Sequence, residues 1–266
     1  MSSLWLDGSF LAEDKAMVRA TDRGFLHGRG LFETLRAYNS VPFRLADHLS
    51  RMASSAERFK IPFKSPALEP VIRELCLRNQ CEDASVRVTL SADGHLLVTA
   101  RKHRPVPPAW YEKGAEVMVA PWRRDARAPL VGHKTLNYWE GILTHEEAAE
   151  RGCADALYVG LRGELLEGCV TNVFLVVKGK LITPALPGVL PGVTRKVVME
   201  LAKVKERRVR IKELWKADEA FLTNSLVEIL PITRPGPVTR RIAAAYKELT
   251  RLPKRPPPPR GGAGTD

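Results

Sequence analysis

Apolar residues recur along this chain in two periods, 2 and about 3.6, and the switches between them mark out its elements. Leu4-Trp5-Leu6, the turn Asp7-Gly8 and Phe10-Leu11 predict a small hairpin. Residues 32–38 alternate, with Phe32, Thr34, Arg36 and Tyr38 on one face and Glu33, Leu35 and Ala37 on the other. Asn39-Ser40 then turns the chain into a second predicted strand over 41–45. Leu49, Met52, Ala53, Ala56 and Phe59 fall at helical spacing and predict a helix over 46–59, with a shorter one over 71–77. Strands are expected over 85–90 and 95–100, around the turn Ala92-Asp93-Gly94.

The clearest break is Arg104-Pro105-Val106-Pro107-Pro108, where proline stiffens the chain and argues against regular structure. It divides a small N-terminal domain, 1–104, from a larger C-terminal domain, 115–252, through a linker over 105–114. Beyond it the pattern predicts a strand over 115–120, a helix over 137–151 and a strand over 154–159. A hairpin follows, 173–177 with 180–183, turning at Lys178-Gly179. A helix over 194–204, short strands over 219–222 and 228–230, and a final helix over 240–252 complete the pattern. The tail 253–266, rich in Pro, Gly and charge, is expected to be disordered. Strands and helices mix without a regular parallel alternation, which places the chain in the α+β class rather than among doubly wound sheets.

Composition adds limits rather than a function. A chain of 266 residues with 44% hydrophobic content is ordinary for a globular protein. No apolar run is long enough for a bilayer, and the start shows no signal peptide, so no membrane association and a cytoplasmic location are expected. Cys76, Cys81, Cys153 and Cys169 form no C-x-x-C pair and no metal-ligand spacing, so no metal is expected. The net charge of +12 fits either a solvated cationic surface or attraction of an anionic substrate. Groups such as Arg101-Lys102-His103-Arg104 and Arg207-Arg208-Val209-Arg210 are short and lack aromatic interleaving, so no nucleic-acid partner is expected.

Gly28-Arg29-Gly30 is not a dinucleotide fingerprint, because Glu33 stands where the third glycine is needed and a strand follows instead of a helix. Lys134, in His133-Lys134-Thr135-Leu136-Asn137-Tyr138, carries more weight. It lies between a predicted strand and a helix with apolar neighbours, and burial there would favour the neutral amine that attacks an aldehyde. Such a lysine can hold pyridoxal phosphate as a Schiff base, a cofactor that also needs an acidic partner for its ring nitrogen and a cup for its phosphate. Glu167 is the candidate carboxylate, with a solvated turn as its plainer role. Pro191-Gly192-Val193-Thr194, ahead of a helix, offers either an ordinary cap or N–H groups for a phosphate. Arg51 is either on a solvated helix face or a guanidinium fork for that phosphate, and Thr223-Asn224-Ser225 is either a turn or a strand end whose hydroxyls bind phosphate oxygens.

Together these pieces resemble the pyridoxal-phosphate enzymes of fold type IV, the class IV aminotransferase family. The matching stretches run from about residue 4 to 233: Asp22-Arg23-Gly24-Phe25, Gly30-Leu31-Phe32-Glu33-Thr34, His48-Leu49-Ser50-Arg51-Met52, Lys134 to Tyr138, Glu167-Gly168 with Thr171-Asn172-Val173-Phe174, Leu190 to Arg195, and Phe221 to Pro231. The resemblance implies a small N-terminal α/β sandwich, a larger C-terminal pseudobarrel domain and the cofactor at their junction. Lys134 would carry the Schiff base and shuttle protons, and Glu167 would pair with the pyridine nitrogen. Arg51, Gly192, Val193, Thr194 and Ser225 would hold the phosphate, with Leu190 near the ring and Tyr138 reaching toward its hydroxyl. A homodimer acting on a small anionic amino substrate is implied as well.

Within that family the Phe32-Glu33-Thr34-Leu35-Arg36 run and Thr223-Asn224-Ser225 look more like aminodeoxychorismate lyases. The expectation is therefore a lyase that releases 4-aminobenzoate and pyruvate, with a branched-chain or D-amino acid aminotransferase as the alternative. The short Ser91-Ala92-Asp93-Gly94-His95 segment lacks the longer arginine-bearing loop of some lyases, and Val170 departs from the small residue common in aminotransferases. Arg29, Arg87 and Arg101 are left as candidates for the substrate carboxylates, and Thr34 and Asn224 as further candidate substrate residues.

Overall fold

A computed structural model describes residues 2–251. The expected disorder of 253–266 lies outside the described residues. The first part of the chain forms one antiparallel sheet with helices, built from β1 (Ser3–Leu6), β2 (Ser9–Ala12), α1 (Arg23–His27), β3 (Gly30–Tyr38), β4 (Val41–Pro42), α2 (Leu45–Arg58), α3 (Leu68–Arg78), β5 (Ala84–Ser91) and β6 (Leu96–Lys102). Its strand order is β2-β1-β6-β5-β3-β4. Alternation on β3, β5 and β6 turns Leu31, Leu35, Val86, Val88 and Val98 toward Met52 of α2 and Ile72 and Leu75 of α3. Each such side chain, fully buried, contributes roughly 1.5–3 kcal/mol.

Two expectations fail here for physical reasons. The strand over 41–45 stops at Pro42, and α2 begins at Leu45 after Arg44 takes a left-handed conformation (φ 55°). The Leu45-Leu49-Met52 spacing lets the helix extend back by one residue. The proline-rich segment is not free of structure either: residues Pro108–Lys113 form α4. Proline is tolerated in a first helical turn, where its missing N–H has no partner to lose.

The remaining chain makes two sheets. One has the order β13-β9-β8-β7, from β7 (Val117–Arg124), β8 (Asp155–Gly160), β9 (Glu164–Gly168) and β13 (Val209–Arg210). The other has the order β12-β11-β10-β14-β15, from β10 (Asn172–Val177), β11 (Lys180–Pro184), β12 (Val204–Arg207), β14 (Glu219–Asn224) and β15 (Glu228–Pro231). Helices α5 (Trp139–Glu150), α6 (Val193–Leu201), α7 (Ile211–Leu214) and α8 (Pro237–Thr250) complete it. Leu157 and Leu165 of the first sheet pack with Val173, Leu175, Leu222 and Leu230 of the second. The other face of the second sheet sends Phe174, Val176 and Phe221 against Val197 and Val198 of α6 and Ile242 and Tyr246 of α8. β10 is thus buried on both faces, which is why it reads as an unbroken apolar run. The class is α+β, with only β7/β8 and β11/β12 parallel among the described strands.

The two parts meet through polar and aromatic contacts. Arg36 Nη1 and Tyr38 Oη both donate to Glu228 Oε1, at 2.9 and 2.7 Å. The Phe43 ring lies edge-on to Tyr246 at 5.6 Å.

Candidate active site

Between these parts lies a cavity of about 480 Å³ lined by Lys134, Tyr138, Glu167, Asn172, Leu190, Val193, Thr223 and Ser225, among others. The backbone around Lys134 is pinned to the N-terminal sheet. β4 covers only the far end of β3, at Ala37 and Tyr38, so the near end has an open edge. Residues 134–136 take that edge: Phe32 N–H donates to Lys134 O and Leu136 N–H to Gly30 O, both at 2.9 Å. Gly30 permits the approach, since a Cβ there would stand 2.5 Å from Leu90 O and 2.6 Å from Leu136 Cδ1. Upstream, His133 Nδ1 bonds Ser55 Oγ of α2 at 2.9 Å.

The lysine so held sends Nζ to 4.2 Å from the centre of the Phe32 ring and 5.4 Å from that of Tyr138. Removal from water pushes its pKa down to about 8, and the nearby charge of Arg51 pushes the same way. Glu33 and Glu167 oppose without reversing this. A neutral amine near pH 8 is the form that attacks a carbonyl.

Glu167 sits in β9, not in a solvated turn, and is buried. Its Oε2 accepts from Leu190 N–H at 2.7 Å and Asn172 Nδ2 at 3.3 Å, and its Oε1 from Arg124 Nη1 at 3.3 Å. Burial pushes its carboxyl up to about 7, against the pull of the Leu190 N–H, Arg124 and Lys134. The turn after it is anchored from below by Asp155, fully buried on β8. Asp155 accepts from Ala156 N–H at 2.8 Å, Cys169 N–H at 3.1 Å, Cys169 Sγ at 2.5 Å and Thr171 Oγ1 at 2.6 Å. His145 approaches the same carboxylate at 3.9 Å, but those donors already occupy its oxygens.

The opposite wall is the start of α6, whose first turn presents the backbone of Val193 and Thr194 to the cavity. Gly192 keeps this cradle open, for a Cβ there would collide with Asn172 Oδ1. Thr223 Oγ1 lines this region buried, with no hydrogen-bond partner among the described residues. Arg51 reaches the same edge and donates through Nη1 to Pro191 O at 3.0 Å. Donors, a helix N-terminus and an unpaired buried hydroxyl fit a phosphate. An amine at one wall and a buried carboxylate at another fit the aldehyde and ring nitrogen of pyridoxal phosphate.

The structure brings Arg51, Lys134, Tyr138, Glu167, Leu190, Gly192, Val193, Thr194, Asn224 and Ser225 to this cavity. Tyr138 Oη donates to Cys169 O at 2.8 Å, so its hydroxyl is held by the backbone. Asn224 touches the cavity, but its side chain serves the loop: Oδ1 accepts from the N–H groups of Leu226 and Val227, both at 2.8 Å, and Nδ2 donates to Val170 O. Thr34, Arg29 and Arg101 are outside the lining. Arg101 pairs with Glu13 at the surface of β6. Arg87 is outside the lining but stacks on Phe32, 3.8 Å from the ring centre, and so shares a ring with the Lys134 amine.

Reading the sequence alone missed Glu33, His48, Arg124, Asp155 and Asn172. For Glu33 a signal existed, a charged residue on the same alternating face as Leu35 and Ala37. Arg124 gave none, since only the fold stacks it on Tyr158 and turns it to Glu167.

The model of the family described as amino-transferase class IV matches residues 30–234. A putative branched-chain-amino-acid aminotransferase from Methanocaldococcus jannaschii is 31% identical over 92% of this chain and 96% of its own. A solved branched-chain amino acid aminotransferase from T.th., with pyridoxamine 5'-phosphate, superposes with a TM-score of 0.84 at 28% identity, covering 96% of this chain and 95% of that one. A putative 4-amino-4-deoxychorismate lyase from Legionella pneumophila gives 0.80 at 25%, covering 90% and 98%. The structural neighbours carry both names, but curated sequence relatives carry the aminotransferase name, and this corrects the expected lyase. The lyase expectation rested on Thr34 and on Asn224-Ser225. Thr34 lies outside the cavity lining and the Asn224 side chain is spent on backbone.

Proposed function

Because this chain belongs to the class IV aminotransferase family, whose members work through pyridoxal phosphate, we propose that it transfers the amino group of a branched-chain amino acid to a 2-oxo acid. Bound pyridoxal phosphate supplies an aldehyde that condenses with amines and a ring that accepts the electron pair left when a proton departs the adjoining carbon. The side chains supply the rest. Lys134 is read as the residue that holds the cofactor and then, once freed by the substrate amine, moves the proton at the carbon bearing nitrogen. Its position beside Phe32 and Tyr138 and its lowered pKa support that double task. Glu167 is read as the group that keeps a proton on the ring nitrogen, with Leu190 N–H, Asn172 and Arg124 fixing its angle. Arg51, Ser225 and the backbone of Val193 and Thr194 are read as the phosphate cup, with the Thr223 hydroxyl added to it.

The observation that carries this reading is one cavity holding an amine, a buried carboxylate and an anion cradle on different walls. Leu130, Val131, Val170 and Leu190 in the lining suit an aliphatic side chain, and Arg87, exposed over the Phe32 ring and with no carboxylate partner among the described residues, suits the second carboxylate of an acceptor such as 2-oxoglutarate. A homodimer is part of the proposal: Phe25, Leu26, Trp139 and Leu143 stand exposed on segments that flank the cavity-lining residues, an apolar surface of the kind subunits bury. Reduction with borohydride followed by peptide mapping tests the site. The label is expected on Lys134; label on another lysine rejects the assignment.

A further inference from the structure

We propose that Glu33 and His48 are a positioning pair that sets the phosphate cup, by fixing Arg51 on one side and Ser225 on the other. The proposal rests on the reading of Arg51 and Ser225 as phosphate-binding residues.

Glu33 stands on the inward face of β3 beside Leu31 and Leu35 and is 1% exposed. A carboxylate buried there requires charged or hydrogen-bonding partners. It has three bonds: Oε1 accepts from Arg51 Nε at 2.8 Å, and Oε2 accepts from Arg51 Nη2 at 2.5 Å and from His48 Nδ1 at 2.7 Å. The guanidinium and the ring N–H hold the carboxylate ionised, down to about 2, although burial alone would raise it. An ionised carboxylate only accepts, so Nδ1 carries the ring proton. His48, equally buried, then faces Ser225 Oγ with Nε2 at 3.3 Å.

Four residues from β3, α2 and the end of β14 are thus joined in one line, Arg51–Glu33–His48–Ser225. The grip on Arg51 is bidentate, and Nη1 is taken up by Pro191 O at 3.0 Å. By hydrogen count one Nη1 and one Nη2 hydrogen stay without a protein acceptor, which leaves the fork aimed and charged. A long side chain fixed beforehand need not be ordered when the anion binds. The line also crosses from the N-terminal sheet to the strand end that carries Ser225, so the two sides of the cup are set by one buried carboxylate.

The test is titration of the full chain, freed of cofactor by dialysis, with pyridoxal phosphate and separately with pyridoxal, which lacks the phosphate. Glu33→Gln should weaken pyridoxal phosphate by about tenfold or more, the worth of one charge-assisted bond, while pyridoxal stays within about twofold. His48→Gln, which leaves the Arg51–Glu33 pair intact, should shift the same preference in the same direction by about threefold, and it reports even where Glu33→Gln does not fold. Wild-type preference in both variants, or parallel loss of both ligands, would overturn the positioning role. A wild-type chain with no preference between the two ligands would instead remove the cup reading, and the pair with it.

Discussion

At Lys134 the chemistry and the physics coincide. The amine is lowered to about 8 because burial disfavours its ammonium form. Below that pH the cofactor-free protein holds mostly ammonium there, and above it mostly amine. Covalent attachment of added pyridoxal phosphate should therefore speed up as pH rises through about 8 and level off beyond it. Stopped-flow absorbance checks this, and a midpoint near that of a free lysine would show that the site does not desolvate the amine. Glu167 shifts the other way, from 4.5 up to about 7. Its contribution to the stability of the cofactor-free protein is therefore fully present below about 4.5 and is lost as pH rises through about 7, where the buried carboxyl must ionise. A cationic ring N–H would pull it back toward ionised. Glu167→Gln should keep the cofactor bound but lower kcat by roughly a hundredfold, the scale of losing one preorganised electrostatic partner. Near wild-type turnover would dismiss its role at the ring. Lys134 stood out in the sequence as a lysine between a predicted strand and a helix, whereas Glu167 read as a turn carboxylate and gained its role only from the family resemblance. Arg124 was not legible, because its relevance arises only when β7 delivers it to the same cavity.

Among the elements, β3 does the most positioning. It carries Glu33 inward and lends its open edge to the lysine segment. Gly30→Ala would drive a Cβ into Leu90 O and Leu136 Cδ1. That should cost about 1–3 kcal/mol, typical of overpacking, and loosen the register of residues 134–136. Thermal unfolding should fall by roughly 2–4 °C per kcal/mol, together with weaker cofactor retention. An unchanged melting temperature and unchanged retention would mean that the edge pairing is not what holds Lys134. The long elements were readable because their periods are strong: β3, α2 and β5 each follow one hydrophobic repeat. Three short ones were not. β9, β12 and β13 have two to five residues each and are defined by pairing with distant strands, which local pattern does not record. Proline signals misled in one place, since α4 begins on Pro108.

For the whole molecule, the sequence supported an α+β fold and a cofactor, and it erred on the reaction. Motifs shared across a family locate the common machinery; the substrate is chosen by side chains around it, and of the positions taken as diagnostic Thr34 lies outside the cavity lining while the Asn224 side chain is spent on backbone. Charge is a second whole-molecule trait. At +12 the protein should draw in anionic acceptors, so kcat/KM for a dicarboxylate should fall with added salt more than that for a monocarboxylate. Equal salt dependence would assign the charge to solubility alone. Among the described residues no helix is long and apolar enough to cross a membrane. The exposed Trp139 and Phe25 belong at a subunit interface in this account, and sedimentation should give about twice 29.6 kDa. The most direct measurement mixes the purified holoprotein with L-leucine and 2-oxoglutarate and follows both products by chromatography. Glutamate and 4-methyl-2-oxopentanoate should appear in equal amounts in the wild type and be lost in Lys134→Ala. A wild-type protein that carries the cofactor yet moves no amino group between any branched-chain amino acid and 2-oxo acid would contradict the account.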